Sequence, residues 1–133
     1  MSLIVDASVA VKWVADEPGS ADARELLRSG ELLIAPEIVL SEAGNALRKK
    51  VAQGIMEADQ ALQGLAAIER AFDRLSPVRT LVPAALDLAL RAMHPVYDCL
   101  YLAYARREGL PLVTADERLV ATAARMQIAA RAL

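Results

Sequence analysis

The chain has 133 residues, 56% hydrophobic, 24% charged and only 4% aromatic, which excludes a disordered chain and fits one domain spanning 1–133. Its formal charge of −2 argues against a protein that coats nucleic acid by charge alone, and a single cysteine and a single histidine, Cys99 and His94, exclude a disulfide framework and any Cys- or His-rich metal site. No apolar run reaches the ~18 residues of a membrane span, and the start MSLIVDASVAVKW lacks the basic n-region of a secretory signal, so no membrane role and a cytoplasmic location are expected.

Residues 3–5 form a short apolar run ended by Asp6 and read as a buried parallel strand. Residues 8–14 read as a short helix, stopped by an acidic run and Pro18-Gly19. Ser20 N-caps a helix over 20–29, and Gly30 closes it. Residues 32–35 read as a second buried strand, and Pro36 suits the first turn of the next helix. That helix, 37 to about 53, carries an apolar stripe of Leu40, Ala43, Leu47 and Val51. A further amphipathic helix over 57–74 has its stripe at Ala61, Leu65, Ile68 and Phe72, with Met56, Leu62 and Ala66 adding apolar positions outside it. Residues 78–81 are expected as a third strand and 84–93 as a helix. The helix over 97–108 is almost wholly apolar until Arg106, so most of it should be buried. Residues 112–114 read as a fourth strand, 116 to about 126 as a helix and 128–130 as an edge strand. Short apolar strands alternating with helices imply a parallel α/β sheet covered on both faces.

Such sheets bind ligands beyond the carboxyl ends of their strands. Asp6 directly follows the first strand, and Asp116 stands two residues after Thr114. Asp98 opens the apolar helix and shares a face with Tyr101, Leu102 and Ala105, where a carboxylate is costly unless compensated. Glu42 lies opposite its helix's apolar stripe, in a row with Ile38, Asn45 and Lys49. Taken singly, Asp6, Asp98 and Asp116 have a plain reading as helix caps and Glu42 as a solvated position. Taken together, the four acids are placed to converge on one cavity. Clustered carboxylates do not all stay ionised without a cation. Carboxylate and water ligands suit Mg²⁺ or Mn²⁺, which serve phosphoryl transfer by activating water and neutralising charge.

Four stretches carry a resemblance: IVDASVAVKW at 4–13, PEIVLSEAGNALRK at 36–49, HPVYDCLYLAYARREG at 94–109 and LVTADERL at 112–119. In their order and spacing the chain resembles PIN-domain ribonucleases, most closely VapC toxins of VapBC toxin–antitoxin modules. The resemblance implies a PIN-like α/β fold, with a short parallel sheet of about four or five strands flanked by about seven helices. It implies that Asp6, Glu42, Asp98 and Asp116 are the catalytic acids binding Mg²⁺ or Mn²⁺, supported by Ser8, Asn45 and Thr114. It implies an endoribonuclease that leaves 5′-phosphate and 3′-hydroxyl ends without a histidine base. Its partners would be RNA, a VapB-type antitoxin and a second copy, in a homodimer and a heterotetramer or larger with the antitoxin. No motif aligns over 54–81.

Lys12, Arg48, Lys49 and Lys50 are candidates for holding the RNA backbone, because they lie on helices that carry or follow the acids; the plain alternative is a solvated face. His94 reads as a turn residue, Cys99 as a small buried side chain, Trp13 as core or dimer interface, and the tyrosines as packing groups. A catalytically inactive PIN-like binding module, its acids serving only as caps, is the competing reading. A phosphorylated receiver domain needs a lysine late in the chain, and the only lysines are 12, 49 and 50. Walker A and GxGxxG patterns are absent.

Overall fold

The computed structural model describes residues 1–133, in which five strands and seven helices alternate. In chain order they are β1 (Ser2–Val5), α1 (Ala7–Val14), α2 (Ser20–Arg28), β2 (Leu32–Pro36), α3 (Ile38–Ala52), α4 (Ala58–Ala71), β3 (Arg74–Ser76), α5 (Val82–Ala92), α6 (Val96–Glu108), β4 (Leu112–Thr114), α7 (Glu117–Arg125) and β5 (Ala130–Ala132). The strands form one parallel sheet in the order β3-β2-β1-β4-β5. The chain steps outward from β1 to β3, then returns to the other side of β1. Right-handed crossovers therefore send α1–α4 to one face and α5–α7 to the other. The packing divides the same way, with α1 against α2, α3 and α4, and α5 against α6.

This order puts the topological switch between β1 and β4. Crevices in open parallel sheets form there, at the carboxyl ends. The register pairs Ile4 with Leu112 and Val5 with Val113. Asp6 thus leaves β1 beside Thr114 at the end of β4.

The core is a continuous cluster of 33 buried residues. Helix α6 is its centre: every residue from Cys99 to Ala105 is buried, and the helix packs across β2, β1 and β4. Its polar atoms are satisfied, since the Tyr104 hydroxyl meets Ser76 Oγ at 2.6 Å. Trp13 belongs to the core. Its Nε1 donates to the Ala23 carbonyl at 2.9 Å and its ring tilts against Phe72.

Two strands lie elsewhere than expected. The third is Arg74–Ser76, not 78–81. Helix α4 ends at Ala71 because Phe72 turns to extended backbone and buries its ring. Asp73 then bonds both ways with Leu33, its N–H to the Leu33 carbonyl and its Oδ2 from the Leu33 N–H, each at 2.8 Å. Pro77 has no N–H with which to continue the ladder, and 78–81 form a turn into α5. The last strand is Ala130–Ala132 rather than 128–130, because Ile128 is buried and its N–H returns to Ala123 at the end of α7.

Candidate active site

Asp6 begins the site. Its Oδ1 caps α1 by accepting from the Val9 N–H at 3.3 Å, and accepts from Ser8 Oγ at 2.6 Å. Its Oδ2 accepts from Thr114 Oγ1. The bracing continues across the switch, where the Ala115 N–H donates to Ser8 Oγ at 2.9 Å and the Asp116 N–H to Thr114 Oγ1 at 3.0 Å. Ser8 and Thr114 therefore support the acids. Burial pushes the Asp6 carboxyl above its ordinary value, and the Asp98 charge adds to that, against the pull of its three donors.

Asp116 caps α7, its Oδ1 accepting from the Arg118 and Leu119 N–H groups at 2.9 and 3.3 Å. Asp98 caps nothing. Its Oδ2 lies 2.8 Å from Nε2 of the buried His94. Glu42 reaches across the end of the sheet to α6, where the Tyr101 hydroxyl donates to its Oε1 at 2.6 Å. Burial pushes Glu42 up, and the charges of Asp98 and Asp6 push it further against the Tyr101 bond. Burial, then the Glu42 charge, raises the Tyr101 phenol well above its usual value.

Asp6, Glu42 and Asp98 thus share one electrostatic space, and Asp116 is tied to the same end of the sheet by its backbone N–H on Thr114. Glu42, Asp98 and Asp116 each have one oxygen tied and one without a protein partner. No three of the acids already converge on a single point. Their chemistry nonetheless fits a hard divalent cation: free carboxylate oxygens, mutual repulsion and no thiolate or imidazole donor turned outward. His94 Nε2 is spent on Asp98, and burial pushes the Cys99 thiol up to about 11.

Tyr101 and His94 were expected only to pack and to turn the chain. Each instead orients a site acid. The helical spacing was the available signal, since Tyr101 and His94 stand three residues after and four before Asp98. One expectation is corrected and one narrowed. Asn45 supports no acid, because it is exposed and its Oδ1 accepts from Arg48 Nε at 3.1 Å. Lys12 is mostly engaged within the protein, because its Nζ donates to Glu17 Oε1 at 3.1 Å and to the Pro18 carbonyl at 2.7 Å, which leaves one donor. Lys49 is exposed and unpaired.

With this geometry in view, comparison with known proteins is decisive. The PIN domain family model matches residues 3–125. The chain belongs to the PIN-domain family. Ribonuclease VapC1 of Mycobacterium tuberculosis is 32% identical over 120 residues, covering 89% of this chain and 88% of that protein, so this PIN domain belongs among the VapC proteins. The crystal structure of Mycobacterium tuberculosis VapC20, a sarcin–ricin loop cleaving toxin, superposes with a TM-score of 0.74 at 19% identity, covering 90% of this chain and 94% of that one. VapBC2 from Rickettsia felis, solved with a promoter DNA fragment, gives 0.71 at 14% identity, covering 100% and 99%. At those identities the two structures establish the PIN fold alone.

Proposed function

We propose that this chain is a Mg²⁺- or Mn²⁺-dependent endoribonuclease and the toxin of a toxin–antitoxin pair. The observation that carries the reading is that Asp6, Glu42 and Asp98 bear on one another at the carboxyl end of the sheet, with Asp116 opening α7 just past Thr114, in a chain with VapC ribonuclease relatives. Asp6, Asp98 and Asp116 would hold the ion, and Glu42 would complete the set. A bound divalent ion lowers the pKa of water and offsets charge growing on the phosphate. The protein's own work is to aim oxygens. Ser8 and Thr114 fix Asp6 and oppose the effect of its burial, His94 turns Asp98, and Tyr101 turns Glu42. Water attack leaves 5′-phosphate and 3′-hydroxyl ends, and no histidine acts as base.

The competing reading makes the acids mere caps. Asp6 and Asp116 do cap helices, but Glu42 and Asp98 make no capping bond. The two half-buried acids that cap nothing favour the enzyme.

The partners of this single PIN domain, 1–133, are cytoplasmic RNA, a second copy and a VapB-type antitoxin. An apolar groove of about 460 Å³ between α3 and α4, lined by Leu47, Val51, Ala61, Leu62 and Leu65, suits an apolar antitoxin segment. No helix is long and apolar enough to cross a membrane. The deciding experiment maps RNA cleavage by the chain and by Asp98→Asn with Mg²⁺ or Mn²⁺. The unaltered chain cleaves, EDTA stops it and Asp98→Asn is silent. Equal cleavage by both proteins overturns the site.

A further inference from the structure

An RNA strand brought to four carboxylates meets repulsion that cations must offset. The chain has only three lysines, Lys12, Lys49 and Lys50, the other 12 of its 15 cations being arginines. All three lysines line one cavity of about 370 Å³ between α1 and α3. Ser8 and Ala115, which brace Asp6, line the same cavity. The cavity therefore adjoins the acidic site, with Ser8 and Ala115 between the lysines and Asp6.

Glu17 organises the cluster. Its Oε1 takes Lys12 Nζ at 3.1 Å and its Oε2 takes Lys50 Nζ at 2.7 Å. The two lysine side chains are only 13% and 18% exposed, so they are built into the wall rather than trailing in solvent. Burial raises the Glu17 carboxyl, but Lys50 and Lys12 outweigh it and hold the group below its ordinary range. Glu17 thus stays ionised and cancels one of three positive charges. The cavity keeps a net positive charge in a chain whose formal charge is −2. An ammonium has three donors. Lys49 has all of its own free, Lys50 has two and Lys12 has one.

The lysines stand in the last turns of α1 and α3, where the helix dipole favours cations. That accounts for lysines at helix ends. It does not account for all three lining one cavity beside the residues that brace Asp6. A compact ammonium suits a single phosphate oxygen as a point charge.

We propose that this lysine-lined cavity is a subsite for the RNA phosphate adjacent to the one cleaved, with Lys49 and Lys50 as its ligands. The assignment rests on the ribonuclease reading above, and the test separates the two. The probe is a short fluorescein-labelled single-stranded RNA of randomised sequence, bound to the Asp98→Asn chain and read by anisotropy between about 50 and about 200 mM salt. Each phosphate contact on a single strand contributes about 0.7 to the slope of log affinity against log salt. In that background Lys49→Gln lowers the slope by about 0.7, and Lys49→Arg restores it. Arg28→Gln, on the end of α2 that feeds the start of β2, leaves it unchanged. No binding, or a slope indifferent to Lys49→Gln, overturns the subsite. Cleavage of total RNA by the unaltered chain is scored separately. Cleavage without a Lys49 effect sinks the subsite alone. Lys49-dependent binding without any cleavage sinks the ribonuclease reading and leaves an anion site.

Discussion

At the residue scale, Tyr101 steadies a carboxylate that its neighbours repel. Its hydroxyl is the one protein donor to a half-buried Glu42 that Asp98 and Asp6 both repel. Groups that orient metal-binding carboxylates typically cost 10–100-fold in metal affinity or activity when removed. Tyr101→Phe keeps the ring and its packing, so the fold should lose only about 1 kcal/mol while Mn²⁺ affinity falls by about 10–100-fold. Thermal melts and Mn²⁺ titration of cleavage check the two numbers. A large stability loss with unchanged metal affinity would make Tyr101 a core residue only.

The same carboxylates give the metal-free protein a pH signature. Folding raises the pKa of Glu42 and of Asp6 above their ordinary values. Between the ordinary and the raised values the folded state holds more protons than the unfolded one. Their contribution to stability is therefore fully present in acid and is lost as pH rises through the raised values. Glu42→Gln keeps an acceptor for Tyr101 and removes one of these titrations. In EDTA its melting temperature should exceed that of the unaltered chain at pH 7 and vary less with pH from the ordinary carboxylate range upward. Mn²⁺ should stabilise the unaltered chain more than it stabilises Glu42→Gln. Asp6 and Asp116 stood out as candidates because they follow strand ends, and Asp98 because it breaks an apolar face; Glu42, opposite its helix's stripe, rested on its polar row and on the family resemblance. Tyr101 and His94 were not legible, because their partners are set by side-chain reach across α3, α6 and α7. Asn45 misled for the opposite reason: a residue three positions away, Arg48, claims its carbonyl.

Among the elements, strong patterns survived and weak ones slid. Helix α6 and strands β1 and β4 were legible because unbroken apolar runs have one place to go, the centre of the sheet. Strand β3 was not. Arg74 is exposed at a sheet edge, and only pairing with Ile34 to Pro36 makes the segment a strand. Periodicity could not see that Phe72 ends α4 early. Helix α4 in turn docks on α1 through a glycine: a Cβ on Gly64 would come within 3.2 Å of Val14 Cγ2. A methyl there asks Val14 to yield slightly, whereas a branched side chain has no room. Gly64→Val should cost about 1–3 kcal/mol as an overpacked contact, measured by urea unfolding. Cleavage per folded molecule should be retained, since Gly64 lies away from the acids. A neutral Gly64→Val would mean that α4 sits looser on α1 than the structure has it.

For the whole molecule, setting aside the four site acids leaves 13 of 17 acids against 15 cations. The formal charge of −2 is thus the mark of one acidic site and not of an acidic surface. Surface apolar groups are more telling. Leu86, Leu90 and Met93 on and after α5, with Tyr97 at the start of α6, form an exposed stripe, Leu90 at 69% and Met93 at 84%. A monomer gains nothing by showing water so contiguous an apolar face, and such faces mark interfaces. A two-fold contact is the simplest closed arrangement for it. It also lies beside the site, since Tyr97 precedes Asp98 directly. The chain should therefore run in light scattering at twice its 14.3 kDa, with a melting temperature that rises with concentration. Leu90→Glu puts a charge into the middle of the contact without touching the core. It should give a folded monomer whose melting temperature no longer depends on concentration. A Leu90→Glu chain that stays dimeric would move the self-contact to another face.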